Sequence, residues 1–543
     1  MKVDIKIWIV IAGLMLQYAC DIDRIPEADL SDTNFWQNEN DFQKGTNYLY
    51  TLFLPNSTSA EYPLYADQLS DNAMGLEPND ISNGTYLPDG NFGPWNSDYE
   101  LIRAANKILE EAAMTDLGDG LTQFLAEARF FRAYGYQDLV RRYGDVPLIR
   151  KTLDIEDPEL YTPRTPRGEV IDFIYADLDF AAANLGSKGD TDYGRITKGA
   201  ALALKSRVGL REGTWLKYHN VSGSSNGPEF HLNIAKNAAL QLMQSGEYAL
   251  FDDYEELFKN AGEGPKNKEV IVVFRHEVDN DNRITNSNYT QQITRGFYSP
   301  TRSLVDSYLA VDGLPIEQSP LYQGQTDANS EFIDRDSRLL SIITEKGEEY
   351  VADAGSTEPA PQPYSPSIFT STGYLVEKYV DVNGAYLDHI IMRYAEVLLN
   401  YAEAVYELND AITDQELNLS INLLRNRAGM PNLTNGFVAA NNLDMLNEIR
   451  RERRVELALE GFRYDDLLRW KTAETELPKA LLGVKFFADD YSTDPSGLNL
   501  TDEGFLIGEP QSARFFDASK QYLWPIPLDQ LALNPAMQQN PNW

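Results

Sequence analysis

The sequence predicts a mainly α-helical protein, in which tetratricopeptide-like helical hairpins carry a large irregular, loop-rich portion and a few short strands. Apolar residues recur at three- and four-residue spacing through most of the first half. Successive helical patterns are joined by short polar turns and carry small-then-aromatic pairs such as Ala128 and Phe131. Between about Gly262 and Asp388 this periodicity fades and turn residues accumulate, as in "DNDNRITNSN" and "STEPAPQPYSPS".

The chain opens "MKVDIKIWIVIAGLMLQYAC". Lys2 and Lys6 precede an apolar run from Ile7 to Leu16, and Ala19 stands before Cys20, the one cysteine of the chain. Residues 1–19 read as a secretory signal, too short to remain as a membrane-spanning helix. A lone cysteine ending such a segment resembles a bacterial lipoprotein acceptor, with Cys20 acylated and a lipid anchor on the mature chain. Gln17 and Tyr18 depart from the usual pattern of Leu and a small residue, and Asp4 is unusual in a basic leader. Asp21 and Asp23, directly after Cys20, resemble the export tags of surface-displayed lipoproteins. Several acyl chains would hold firmly, since each buried methylene contributes about 0.8 kcal/mol.

After a tether over about 21–35, the pattern predicts helices over 99–113, 121–144, 168–185, 197–218 and 231–245. The first presents Leu101, Ala105, Ile108, Leu109 and Ala112 on one face; the second presents Phe124, Ala128, Phe131, Leu139 and Tyr143, with Gly144 as its stop. "EVIVVFRHEV" (269–278) reads as a strand. Helices then follow over 390–408, 414–428 and 441–461. This divides residues 20–543, taken as a single domain, into a helical scaffold (about 36–260 and 389–470), loop-rich ligand-side segments (about 55–98 and 262–388) and a C-terminal tail (471–543).

The stretch 448–470, "EIRRERRVELALEGFRYDDLLRW", holds six arginines and six acidic residues and is neutral. Glu448, Glu452, Glu456 and Glu460 recur every four residues and need cations alongside. Arg451 and Arg453 stand three positions from Glu448 and Glu456, and Gly461 is placed to end the helix before the chain turns back. Arg453 or Arg454 is expected to pair with a glutamate of this helix or with Asp466, partly buried and structural, where a planar guanidinium suits better than an ammonium.

Acidic residues outnumber basic ones 83 to 47, for a formal charge of −36, which argues against nucleic acid as a partner. Enzyme and metal signatures are absent. His219, His231, His276 and His389 form no HxxxH or HExxH pair, no GxSxG elbow occurs, and "GEGPKNKE" lacks phosphate-loop spacing. "DNDN" (279–282) resembles the start of a calcium loop, but Arg283 stands where an oxygen ligand belongs. No catalytic residue, metal or cofactor is assigned. Two carboxylates suffice for a glycosidase, yet no pair stands out.

Aromatics are the better lead, because sugar rings present apolar faces to Trp and Tyr while amides and charged groups bond the hydroxyls. The chain holds 31 Tyr, 23 Phe and 7 Trp. Candidate ligand-binding residues in the first irregular segment are Asp71, Asn72, Tyr86, Asn91, Phe92 and Trp95. In the second they are Tyr298, Arg302 and Tyr322.

Several stretches together resemble the SusD/RagB family of outer-membrane nutrient-binding lipoproteins. They are the lipoprotein start with "FW" (35–36), "AEARFFRAYGYQDLVRRYGDVPLI" (126–149), "PTRSLVDSYLAVDGLPI" (300–316), "MRYAEVLLNYAEAVYEL" (392–408), the arginine-rich run, and "YLWPIPLDQLALNPAMQQNPNW" (522–543). The resemblance implies four tetratricopeptide-like hairpins with an irregular half carrying the ligand. It also implies placement on the exterior of the outer membrane, an oligosaccharide or polysaccharide ligand, and a SusC-type TonB-dependent transporter as partner. A peptide-binding RagB-like relative feeding a similar transporter, or a glycoside hydrolase on a helical frame, are the alternatives. Ligand contacts vary within the family, so no site residue carries over from a motif.

Overall fold

Apolar stripes at helical spacing become six long or medium helices in the first half. They are α1 (Glu39–Leu52), α2 (Gly93–Ala113), α3 (Thr122–Tyr143), α4 (Arg167–Asn184), α5 (Lys198–His219) and α6 (Pro228–Met243). The computed structural model describes residues 35–53, 65–221, 226–276, 293, 299–353, 356–359, 370–382, 386–490 and 495–543. The signal segment, Cys20, the 279–282 run and Tyr298 lie outside these. Sequence-adjacent helices pack on one another, α2 on α3, α3 on α4 and α5 on α6, which is the predicted mainly α, hairpin-built scaffold. Thr197 caps α5 by accepting from the Ala200 amide. Gly144 ends α3 at φ +73° with its N–H donating to Val140.

Close approach of α5 and α6 depends on Gly209. A Cβ there would lie 2.8 Å from the His231 carbonyl oxygen and 2.8 Å from the Ala235 amide nitrogen, and neither backbone atom can swing away. Gly209→Ala is therefore expected to lower stability by about 1–3 kcal/mol, read as a shift in denaturant midpoint at unchanged slope. An unchanged midpoint would show that the helices can separate freely.

The irregular half is stitched to the scaffold by an antiparallel pair, β1 (Val270–Phe274) and β2 (His389–Arg393), with Val270 opposite Arg393 and Phe274 opposite His389. Residues 390–393, expected to begin a helix, are thus strand. His389, Ile390, Met392 and Arg393, all buried, pair with β1 before α7 (Tyr394–Asn409) starts. The helix expected over 414–428 is two pieces, α8 (Asp414–Asn418) and α9 (Ile421–Arg427), with Ser420 out of helical geometry at φ −136°, ψ −96°. The expected 441–461 helix is shorter, α10 (Met445–Glu456). It stops before Gly461 because Leu459 turns left-handed at φ +64° ahead of Gly461 at +82°. The chain then returns as α11 (Arg463–Arg469).

Among the described residues two large hydrophobic cores result, with two small satellites. The larger lies among the helices and includes Phe131, Tyr136, Leu398 and Ile449. The smaller lies in the irregular half and includes Phe258, Tyr308, Ile342 and Tyr379. The α10 region joins them: Ile449 and Leu457 face the first, while Val455, Ala458 and Leu459 face the second.

The four glutamates of this stretch are buried along that seam. Arg425 Nε meets Glu452 at 2.8 Å, and Arg338 Nη1 meets Glu452 at 2.7 Å and Glu456 at 2.8 Å. Arg427 reaches Glu456 at 2.5 Å and Glu269 at 2.8 Å. Arg393 bonds Glu269, Glu456 and Glu460, and Lys378 Nζ joins Glu460 at 2.7 Å. Arg453 pairs as expected with Asp466 at 2.8 Å, 3% exposed, and Arg451 reaches Glu448 at 3.4 Å. The expectation of a self-contained clamp is corrected, however. Apart from Glu448, its glutamates are neutralised by cations from elsewhere in the chain, not by the arginines beside them.

Candidate functional site

The two irregular segments meet. Ala73 and Met74 pair antiparallel with Pro300 and Ser299, and the Thr301 amide donates to the Asn72 carbonyl at 2.8 Å. Thr301 then caps the short helix Arg302–Ser307 through the Leu304 amide. Asp71 and Asn72 hold this junction onto the arginine-rich stretch. Arg463 Nε donates to Asp71 Oδ1 at 2.8 Å, Arg454 Nη2 to Asp71 Oδ2 at 3.0 Å, and Arg454 Nε to the Asn72 side-chain oxygen at 2.8 Å. Burial pushes the Asp71 carboxyl up, but Arg454 and Arg463 outweigh it and hold it well below the usual carboxylate range. At 3% and 1% exposed, Asp71 and Asn72 present nothing to a ligand; as candidate ligand contacts they are corrected to anchors. Trp95 is corrected too. It lies in the first turn of α2 at 3% exposure, its ring edge-on to Tyr143 with centroids 4.9 Å apart.

The remaining candidates among the described residues fall into two groups, half-buried except for the exposed Asn91. Arg302 heads the first. Its Nε lies 3.2 Å from Asp306 and its Nη1 3.8 Å from Glu331, with the guanidinium carbon 4.0 Å above the Phe505 ring. Tyr322 is half-buried with Arg335 5.3 Å from its ring centroid. Arg335 is spent on backbone carbonyls, Nη1 to Glu331 at 2.7 Å and Nη2 to Val305 at 2.7 Å. Burial raises the Asp306 and Glu331 carboxyls despite the nearby guanidinium groups. Among the described residues, Arg302 Nη1 and Asp306 Oδ1 are shielded from solvent and make no hydrogen bond, so two polar atoms are left unmatched beside two aromatic rings.

Tyr86 and Phe92 form the second group, their centroids 6.0 Å apart. Tyr86 also lies 5.8 Å from Trp524 and 5.8 Å from Trp543. Asn91 is exposed beside them and accepts from the Asn96 side chain.

Residues that sequence reasoning missed come from the tail. The antiparallel pair β3 (Leu481–Lys485) and β4 (Phe505–Glu509) lies against the Arg302 group. It delivers Phe505 beneath Arg302, and Lys485 Nζ lies 5.7 Å from the rings of both Phe505 and Phe487. Farther along, Glu509 accepts from the Asn83 side chain at 3.0 Å, and a Cβ on Gly508 would meet Met74 Sδ at 2.3 Å. The apolar run Phe505, Leu506 and Ile507 between Gly504 and Gly508 was the one sign of a strand there. Among the described residues no cluster of His, Cys, Asp or Glu could hold a metal, and no helix is long and apolar enough to cross a membrane.

This architecture has relatives. A family model described as "SusD family" matches residues 268–543, and one described as "Starch-binding associating with outer membrane" matches residues 24–210. SusD-like protein P38 of Formosa agariphila is 26% identical over 485 residues, covering 82% of this chain and 87% of that protein. SusD-like protein P2 of the same organism is 25% identical over 562 residues, covering 98% of each. The crystal structure of a SusD-like carbohydrate binding protein from Bacteroides fragilis superposes with a TM-score of 0.78 at 26% identity, covering 93% of this chain and 100% of that one. With a helical-hairpin scaffold, an irregular half pinned to it by buried arginines, and a family model spanning half its length, the chain belongs to the SusD family.

Proposed function

We propose that the chain is a cell-surface lipoprotein that captures an oligosaccharide or polysaccharide and delivers it, uncleaved, to a SusC-type TonB-dependent transporter in the outer membrane. The observation that carries the glycan reading is the group around Arg302. Half-exposed rings of Tyr322 and Phe505 stand beside the Arg302 guanidinium and the Asp306 carboxylate, whose side chains are 15% and 29% exposed, which matches the apolar faces and hydroxyls of a sugar. The carbohydrate-binding relative from Bacteroides fragilis supports the same ligand class. Arg302, Tyr322 and Tyr298 are the proposed first contacts, joined by Phe505; Tyr86, Phe92 and Asn91 are the proposed second. The signal peptide over 1–19, acylation at Cys20 and the single domain over 20–543 belong to this reading, as does the transporter partner, which rests on family membership. A glycan array should show retention of one polymer class, and prolonged incubation with the bound oligosaccharide should leave it intact. Release of shorter products would replace the binding role with hydrolysis.

A further inference from the structure

A groove of about 510 Å³ lies on the helical scaffold between α2, residues 147–161 and the short helix Leu528–Leu533. Its rim carries large apolar side chains open to solvent: Ile155 is 85% exposed, Leu533 68%, Tyr161 51% and Leu160 39%. Such a cluster on a monomer surface marks an interaction site more often than chance. The polar side chains in its wall are already committed. Asn534 Nδ2 donates to the Thr162 carbonyl at 2.8 Å, Asn106 Nδ2 to the Ile149 carbonyl at 3.1 Å, and Arg103 Nη1 to the Leu153 carbonyl at 2.8 Å. Sugar hydroxyls would find few free partners here, whereas apolar side chains would find contact.

The rim is also acidic. Asp154, Glu156, Asp157 and Glu159 stand within six residues of one another, and Lys151 is held by Asp157 at 3.1 Å and Glu159 at 2.9 Å. We propose that this groove docks a partner protein through a segment presenting two or three aliphatic or aromatic side chains flanked by Lys or Arg. The apolar side chains fill the groove, and the cations meet Asp154 and Glu156, the two rim acids that Lys151 does not hold, which steers encounter and fixes register. A second copy of this chain would bring its own −36 charge to the same acidic rim.

Two fluorescein-labelled helical peptides of about fifteen residues test this, with Leu at the same i, i+4 and i+7 positions and either Lys or Glu between them. Anisotropy titrations should show the Lys peptide binding at least about tenfold tighter than the Glu peptide, with the difference shrinking as salt rises from about 25 to 300 mM. Ile155→Asp with Leu533→Asp should weaken the Lys peptide at least about tenfold. Phe230→Asp, at an exposed apolar residue on α6, should leave it unchanged. Absence of Lys-peptide binding, equal affinity for both peptides, or indifference to the double substitution would overturn the proposal. Sedimentation of the chain alone should report a monomer. A dimer dissolved by Leu533→Asp would assign the groove to self-association instead.

Discussion

An Arg393→Ala protein is expected to lose roughly 3–5 kcal/mol of folding stability, the largest effect of any single substitution considered. Arg393 ends β2 at 1% exposure, and every nitrogen of its guanidinium meets a carboxylate. Nη1 donates to Glu269 at 2.7 Å and Glu456 at 2.6 Å, while Nε and Nη2 each donate to Glu460 at 2.7 Å. Removing it takes a cation from three acids. Glu456 keeps Arg338 and Arg427 and Glu269 keeps Arg427, but among the described residues Glu460 keeps only Lys378. Arg393→Lys should fall between, because an ammonium retains charge but cannot bridge three partners as a fork does. The measurement is a denaturant midpoint at constant slope; a loss below about 1 kcal/mol would mean that the network relaxes or takes in water.

The pH dependence of that loss has a definite sign. Burial pushes Glu456 up, but Arg427, Arg393 and Arg338 outweigh it and hold its carboxyl well below the ordinary value of 4.5. Glu460 is depressed likewise, burial being outweighed by Arg393 and Lys378. A depressed carboxyl contributes stability that is fully present above its unfolded pKa and is lost as pH falls through its folded pKa. Wild type should therefore weaken as pH drops below about 4.5. Its advantage over Arg393→Ala should narrow over the same range, since protonated glutamates no longer need the guanidinium. A gap that widens toward acid would contradict this account.

The scaffold was legible because helical packing writes a local signal. The Ala128–Phe131 spacing, the Gly144 stop and the Arg453–Asp466 pair are each confined to a few turns of local sequence. The charge network was not legible in the same way. Glu456 meets Arg393 across 63 residues and Arg338 across 118, and a glutamate beside an arginine in sequence gives no sign that each is pledged elsewhere. Asp71 and Asn72 were misread for the same reason. Polar residues in a turn-rich loop read as exposed, and only the approach of Arg454 and Arg463 makes them an anchor. Phe505 and Lys485 went unseen because the tail has no helical period, and their place beside Arg302 is set by strand pairing.

The binding prediction follows from which rings remain open. Tyr86 is already ringed by Phe92, Trp524 and Trp543 at 5.8–6.0 Å, so less of its face is left for a sugar. Tyr322 and Phe505 are each covered on one side by a cation, Arg335 at 5.3 Å and Arg302 at 4.0 Å. That leaves part of each ring open beside the Arg302 guanidinium, which would bond hydroxyls. Truncating well-placed aromatic contacts at a binding centre typically costs about 2 kcal/mol or more, which corresponds to roughly 30-fold in affinity. The Tyr322→Ala, Phe505→Ala double variant should therefore bind the array-identified glycan at least about 30-fold more weakly, while Tyr86→Ala changes affinity less and melting temperature more. Tyr298→Ala, three residues before the Thr301 cap, should weaken binding with the first group. If the double variant binds as wild type and Tyr86→Ala does not, the glycan belongs at the Trp543 cluster. If neither changes, both placements fail.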